Sequence, residues 1–140
     1  MNVETPIDAE YRPSDDEPFM GERQRAYFRA KLLAWRASIL SESRTTVEEM
    51  RESENNIPDL ADRASAETDR ALELRTRDRQ RKLIAKIDAA IRRIEEDTYG
   101  YCERTGEPIA LRRLEARPTA TLSLAAQEAH ERREKVHRDG

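Results

Sequence analysis

The stretch Asn56-Ile57-Pro58-Asp59-Leu60-Ala61-Asp62-Arg63-Ala64 decides how the rest of the chain must fold. Long runs of helix-forming composition flank it, and within it a proline stands beside Asp59 and Asp62. Pro58 has no amide hydrogen to donate and disfavours the α region for Ile57, so a helix arriving from the N-terminal side ends near Asn56. Asp59 or Asp62 can then cap the next helix through a carboxylate oxygen. The expectation is an αα-hairpin that carries a pair of carboxylates at its far end.

On the N-terminal side, Phe28, Leu32, Trp35 and Ile39 recur at steps of four, three and four, the seam of one helix packing on another. Val47 and Met50 extend that seam weakly toward the turn. On the C-terminal side, residues 62 to 97 run without glycine or proline; Leu72 stands alone on the early part, and Ile84, Ile87, Ile91 and Ile94 return to three- and four-residue steps. At about 1.5 Å per residue this run makes a rod of roughly 50 Å, longer than a small globular domain needs. In its middle, Arg75-Thr-Arg-Asp-Arg-Gln-Arg-Lys82 lacks any apolar side chain and lies roughly opposite the polar Ser41-Glu-Ser-Arg-Thr45. The hairpin is therefore expected to be loosely held there and better packed near its base. Tyr99-Gly100-Tyr101 ends the rod, with Gly100 as the natural left-handed stop. Cys102 to Pro108 reads as a turn, Ile109 to Pro118 as a short apolar-and-basic connector, and about Leu122 to Val136 as a final amphipathic helix.

Composition narrows the classes of function. Of 140 residues, 39% are charged and 5% aromatic, with four glycines, which suits elongated helix better than a large core. The net charge of −3 lacks the basic excess with which duplex-binding proteins displace counterions, so direct sequence-specific DNA binding is not expected. Nothing approaches a membrane-spanning apolar run and no signal peptide is visible, so the expected compartment is the cytoplasm. A lone thiol, Cys102, agrees with that compartment. No nucleophile with its base, no phosphate-cradling glycine loop and no complete metal site is present, so the chain does not read as an enzyme.

One spacing stands out. With cysteines at Thr105, Ser123 and Ala126, the chain would read C-x2-C-x17-C-x2-C from Cys102 onward, the pattern of a four-thiolate zinc ribbon. One sulfur with Thr, Ser and Ala in the other places cannot hold zinc, and His130 and His137, seven apart on one helix, reach a shared ion only with difficulty. Apolar packing by Tyr99, Tyr101, Ile109, Leu111, Leu114, Leu122 and Leu124 must then stand in for the metal. Beside this frame stand Leu33-Ala-Trp-Arg36, Asp59-Leu-Ala-Asp-Arg-Ala64, Leu72-Glu-Leu-Arg-Thr-Arg-Asp-Arg79, Arg81-Lys-Leu-Ile84, Tyr99-Gly-Tyr-Cys-Glu103 and Arg112-Arg-Leu-Glu-Ala-Arg-Pro-Thr-Ala120. From about residue 19 to the end, these strings resemble the DksA/TraR family of bacterial transcription factors.

The resemblance implies a protein that binds RNA polymerase through its secondary channel and alters initiation with guanosine tetraphosphate, (p)ppGpp. Stable-RNA promoters would be repressed and amino-acid biosynthesis promoters activated. It also implies roles. Asp62 is the functional carboxylate of the tip, with Asp59 and Ala64 shaping it, although by sequence alone both acids read as helix caps. Arg75 and Arg79, which otherwise read as a solvated face, become polymerase-docking residues. Leu83, Lys86 and Arg117 match the alarmone positions, Lys and Arg suiting pyrophosphate groups and Leu83 the base. Gln127 replaces a usually basic residue, and Arg132, Arg133 or Lys135 can compensate. Cys102 reads as a partly buried structural thiol, with a redox role as the alternative because Arg104 favours thiolate. The expected architecture is all-α: a disordered acidic tail (1–18), a long antiparallel two-helix coiled-coil hairpin (19–97, tip near 56–64), a degenerate zinc-finger-like segment (98–122) forming a small globular base, and a C-terminal helix (123–140). A zinc-independent monomer follows. A transcript-cleavage-type secondary-channel factor and a coiled-coil adaptor or chaperone without polymerase contact are the competing readings.

Overall fold

The computed structural model describes residues 9–55 and 60–139, without the side chains of 53–55, 60–62, 138 and 139. Four helices follow one another: α1 (Glu22–Asn55), α2 (Leu60–Glu95), α3 (Leu111–Ala116) and α4 (Leu124–Asp139). Two are long and packed, and α4 closes the chain, so the all-α expectation holds. Among the described residues, extended pairing is limited to one antiparallel bridge, Tyr101 with Pro108. No helix is long and apolar enough to cross a membrane.

The chain divides into two compact units: a base formed by residues up to Leu32 and from Ile87 onward, and a hairpin unit from Leu33 to Lys86. In the base, the expected seams converge. Phe28 and Leu32 from α1, Ile87 and Ile94 from α2, and Tyr99, Ile109 and Leu114 beyond them are completely or almost completely buried. Their spacing on each helix places them on one face, and burying such a face supplies most of a helix's stability. Tyr99 donates a 2.7 Å hydrogen bond to the Pro118 carbonyl while its ring lies 5.6 Å from that of Phe28.

Four features of the base differ from the sequence reading. Residues 11–18 of the expected disordered tail are folded against α1. Tyr11 is buried, edge-on to Tyr27, with the Arg23 guanidinium 4.0 Å above its ring and its hydroxyl donating to Glu17. Buried Gln24 locks the segment from below, accepting from the Met20 amide at 2.8 Å and donating to the Ser14 carbonyl at 3.1 Å. Helix α2 stops at Glu95, earlier than expected, because Asp97 takes the left-handed conformation (φ 62°) with its carboxylate paired to Arg25. Gly100 is left-handed too (φ 91°), but its task is close approach: a Cβ there would meet Met20 Cγ at 3.0 Å and the Phe19 ring at 3.2 Å. The connector contains a helix, α3, whose Leu111 and Leu114 enter the core.

The hairpin unit is thinner. Ile39 is buried and Trp35 only half-buried, while Leu33, Leu40, Leu72 and Leu74 are exposed. Thr45, Thr46, Thr68 and Thr76 turn their hydroxyls back to carbonyls four residues earlier in their own helices. Such bonds satisfy the side chain without tying one helix to another. Within the run 75–82, Arg77 Nε and Gln80 Oε1 are buried without a partner.

Candidate functional site

The residues singled out by sequence fall in three places. Asp59 lies outside the described residues. Asp62 sits in the first turn of α2, its side chain likewise outside them, and Ala64 is exposed one residue beyond Arg63. Arg75 and Arg79, four apart and so on one face of α2, are both exposed, Arg79 donating to Thr76 Oγ1 at 3.4 Å. Leu83 is half-buried and Lys86 exposed in the hairpin unit; Arg117 is exposed in the base, where it closes α3. Gln127 donates to Glu131 along α4.

The ribbon positions are the ones that the base gathers into a structure. Tyr101 pairs with Pro108, the Cys102 amide donates to Glu107 O at 2.8 Å and the Gly106 amide to Cys102 O at 2.8 Å, making a tight two-sided turn. The Cys102 side chain is buried. The Thr105 hydroxyl donates to its sulfur, and the amides of Ser123, Thr105 and Arg104 do the same; together they overcome the cost of burial and hold the thiol low, at about 6. Thr105 Oγ1 also accepts from the Glu107 amide at 3.2 Å, which leaves its hydroxyl hydrogen free for the sulfur. Ser123 Oγ accepts from the Ala126 amide at 3.2 Å, the geometry of an N-cap on α4.

Further cross-links tie the second half of this segment to the first. Glu103 N donates to Thr121 O at 2.9 Å, and Arg113 Nε donates to Leu122 O at 2.8 Å. Lys31 reaches Glu115 at 2.7 Å. Burial pushes the Glu115 carboxyl up, but hydrogen bonds from Lys31 and Tyr27 more than offset it and leave it below the ordinary range. Of the apolar substitutes for a metal, Tyr99, Ile109, Leu111 and Leu114 are buried and Leu122 half-buried; Tyr101 and Leu124 are exposed. The polar anchors Arg113, Tyr99 and Ser123 take a larger share than expected. Only Ser123 had a readable signal, a serine directly before a helical pattern.

Residues 24–94 match the family described as DnaK suppressor protein DksA, N-terminal domain, and residues 97–132 match the prokaryotic dksA/traR C4-type zinc finger. Over 131 residues the chain is 70% identical to the RNA polymerase-binding transcription factor DksA of Caulobacter vibrioides, spanning 94% of this chain and 92% of that one. The chain belongs to the DksA/TraR family. The DksA of Escherichia coli K12 is 46% identical over 125 residues, 89% of this chain and 83% of that one. Among solved structures, that of transcription factor DksA2 from Pseudomonas aeruginosa superposes with a TM-score of 0.79 at 44% identity, covering 84% and 90% of the two chains.

The C4 finger implied by the DksA/TraR family is a zinc site, and the donors here do not fit one. Zinc in such a frame takes four thiolates or imidazoles. Cys102 supplies one sulfur already surrounded by hydrogen-bond donors, Ser123 Oγ is engaged by the α4 amide, and Ala126 has no donor atom. Among the described residues no group of three or more His, Cys, Asp or Glu is placed to hold a metal ion.

Proposed function

We propose that this chain is a transcription factor that binds RNA polymerase, enters its secondary channel with the α1–α2 hairpin and modulates initiation together with (p)ppGpp, without zinc and without chemistry of its own. The observation that carries the reading is the 70% identity, over 94% of the chain, to a protein named as an RNA polymerase-binding transcription factor. In this reading the hairpin spans 19–97 with its tip near 56–64, and Asp62 acts on the polymerase active center by charge and hydrogen bonding, with Asp59 and Ala64 shaping the tip. Arg75 and Arg79 dock on the polymerase. Leu83, Lys86 and Arg117 contact the alarmone, as their match to the family pattern suggests. The protein acts as a cytoplasmic monomer that lowers stable-RNA and raises amino-acid biosynthesis transcription.

The deciding experiment is multi-round transcription from a ribosomal RNA promoter with and without the protein and the alarmone. Repression that deepens with (p)ppGpp is expected, and Asp62→Asn should retain polymerase binding while losing repression. If Asp62→Asn binds and represses like the parent, the tip assignment fails. Cleavage of transcripts in backtracked complexes would instead identify a transcript-cleavage factor, and no association with polymerase an adaptor. Zinc independence has its own check: elemental analysis should find no stoichiometric zinc, and a chelator should leave the melting curve unmoved.

A further inference from the structure

Along α4, His130, Arg133, Glu134 and His137 share one face, and with Arg104 from the turn after Cys102 they line a cleft of about 630 Å³. Ala129, Arg132 and Val136 line a second, of about 560 Å³, together with the same Arg133 and His137. Arg133 and His137 border both clefts, so the two adjoin along α4 as one shallow furrow divided by those side chains. Glu134 is engaged by His130 at 3.1 Å. Among the described residues, Arg104, Arg132 and Arg133 have no acidic partner, and Val136 is 71% exposed between them. Residues at the remaining helical positions, Glu128, Glu131 and Lys135, fall on the opposite face of α4.

Three guanidiniums without an acidic partner among the described residues, beside one carboxylate and an apolar strip, restrict what fits. A small anion is held in enclosed pockets that bury most of its surface, whereas these side chains are half-exposed or exposed and would leave it wet. Nucleic acid gains its affinity by neutralising many phosphates, which three arginines on a chain of net charge −3 do not provide, and it has no use for Ala129 and Val136. We propose that this furrow docks an acidic segment of a partner protein, its carboxylates on Arg104, Arg132 and Arg133 and an apolar side chain over Ala129 and Val136. Arginine suits that role because its planar fork takes a carboxylate bidentately. The partner is defined by this chemistry alone, and the inference stands independently of the polymerase reading.

The test uses the full chain and a fluorescent peptide of alternating glutamate and leucine, followed by anisotropy at physiological salt. The peptide should bind, and its analogue with serine for leucine should bind several-fold more weakly. Arg133→Glu should weaken binding by about tenfold or more and Val136→Ser by about threefold, with Lys135→Gln on the opposite face unchanged. Arg104→Glu lies outside the helix and should reproduce the Arg133→Glu loss, so an effect of either variant on α4 folding is separable. Equal affinity for the serine analogue, displacement of the peptide by inorganic phosphate or a single-stranded oligonucleotide at comparable concentration, full binding by both arginine variants, or no binding at all would each overturn the proposal.

Discussion

The base and the hairpin unit are built from the same two helices, yet they are held by different means. In the base, the α1 and α2 seams meet aromatic rings and α3, and backbone groups are cross-tied by Tyr99, Arg113 and Gln24. In the hairpin unit, four leucines face solvent, threonines bond within their own helices, and Arg77 and Gln80 keep buried polar atoms unpartnered. Local stability follows buried contacts, so the contrast is between a firmly held unit and a loosely held one. Adjacent stretches of one continuous helix can thus carry opposite mechanical characters, set by what packs beside them.

The largest test of that contrast is a matched pair of truncations. Phe28→Ala removes a completely buried ring and should cost about 3–5 kcal/mol, whereas Leu72→Ala, at a side chain 52% exposed, should cost about 0.5 kcal/mol. Urea unfolding followed by circular dichroism measures both, and equal costs would erase the distinction. Tyr99→Phe is a finer probe. It leaves the Pro118 carbonyl buried without its donor, so a loss of about 1–3 kcal/mol is expected from the same measurement.

The smallest effect is confined to the base and depends on pH. The folded Cys102 thiol titrates near 6, below its ordinary value, so the folded state favours thiolate. Its stabilising contribution is complete above the unfolded pKa, declines as pH falls, and is lost once pH passes below about 6. The melting temperature of the parent should therefore drop over that interval by more than that of Cys102→Ala, and the thiolate ultraviolet absorbance should titrate near 6. Identical pH dependence in the two proteins would remove the sulfur from the account of the base.

The parts legible in the sequence were those that repeat. Phe28, Leu32, Ile39, Ile87 and Ile94 announced themselves by three- and four-residue spacing, because a helix must put such residues on one face. Trp35 followed the same pattern yet stayed half-buried, since spacing gives direction but not whether anything waits there. Tyr11 and Gln24 were missed for the opposite reason: one aromatic in an acidic, proline-rich stretch and one amide in a helix have no periodicity, and their burial comes from partners distant in sequence or around a turn. The lost zinc frame was visible as missing letters. That Ser123 caps α4 and Thr105 points a hydroxyl at sulfur was not, because those tasks depend on the fold already being in place. The roles proposed for the tip acids and the arginines of α2 rest on family strings alone, while the furrow on α4 needed Arg104 brought beside a helix that begins twenty residues later.

Gly100 and Gly106 share a left-handed backbone, but a side-chain carbon at Gly106 would meet nothing within 4 Å. Asparagine could settle there at modest expense. At Gly100 even alanine would wedge Met20 and Phe19 away from the chain that follows α2. A side chain is thus opposed by backbone conformation alone at one bend and by backbone and neighbours together at the other, and the second is where the N-terminal segment meets the rest of the base.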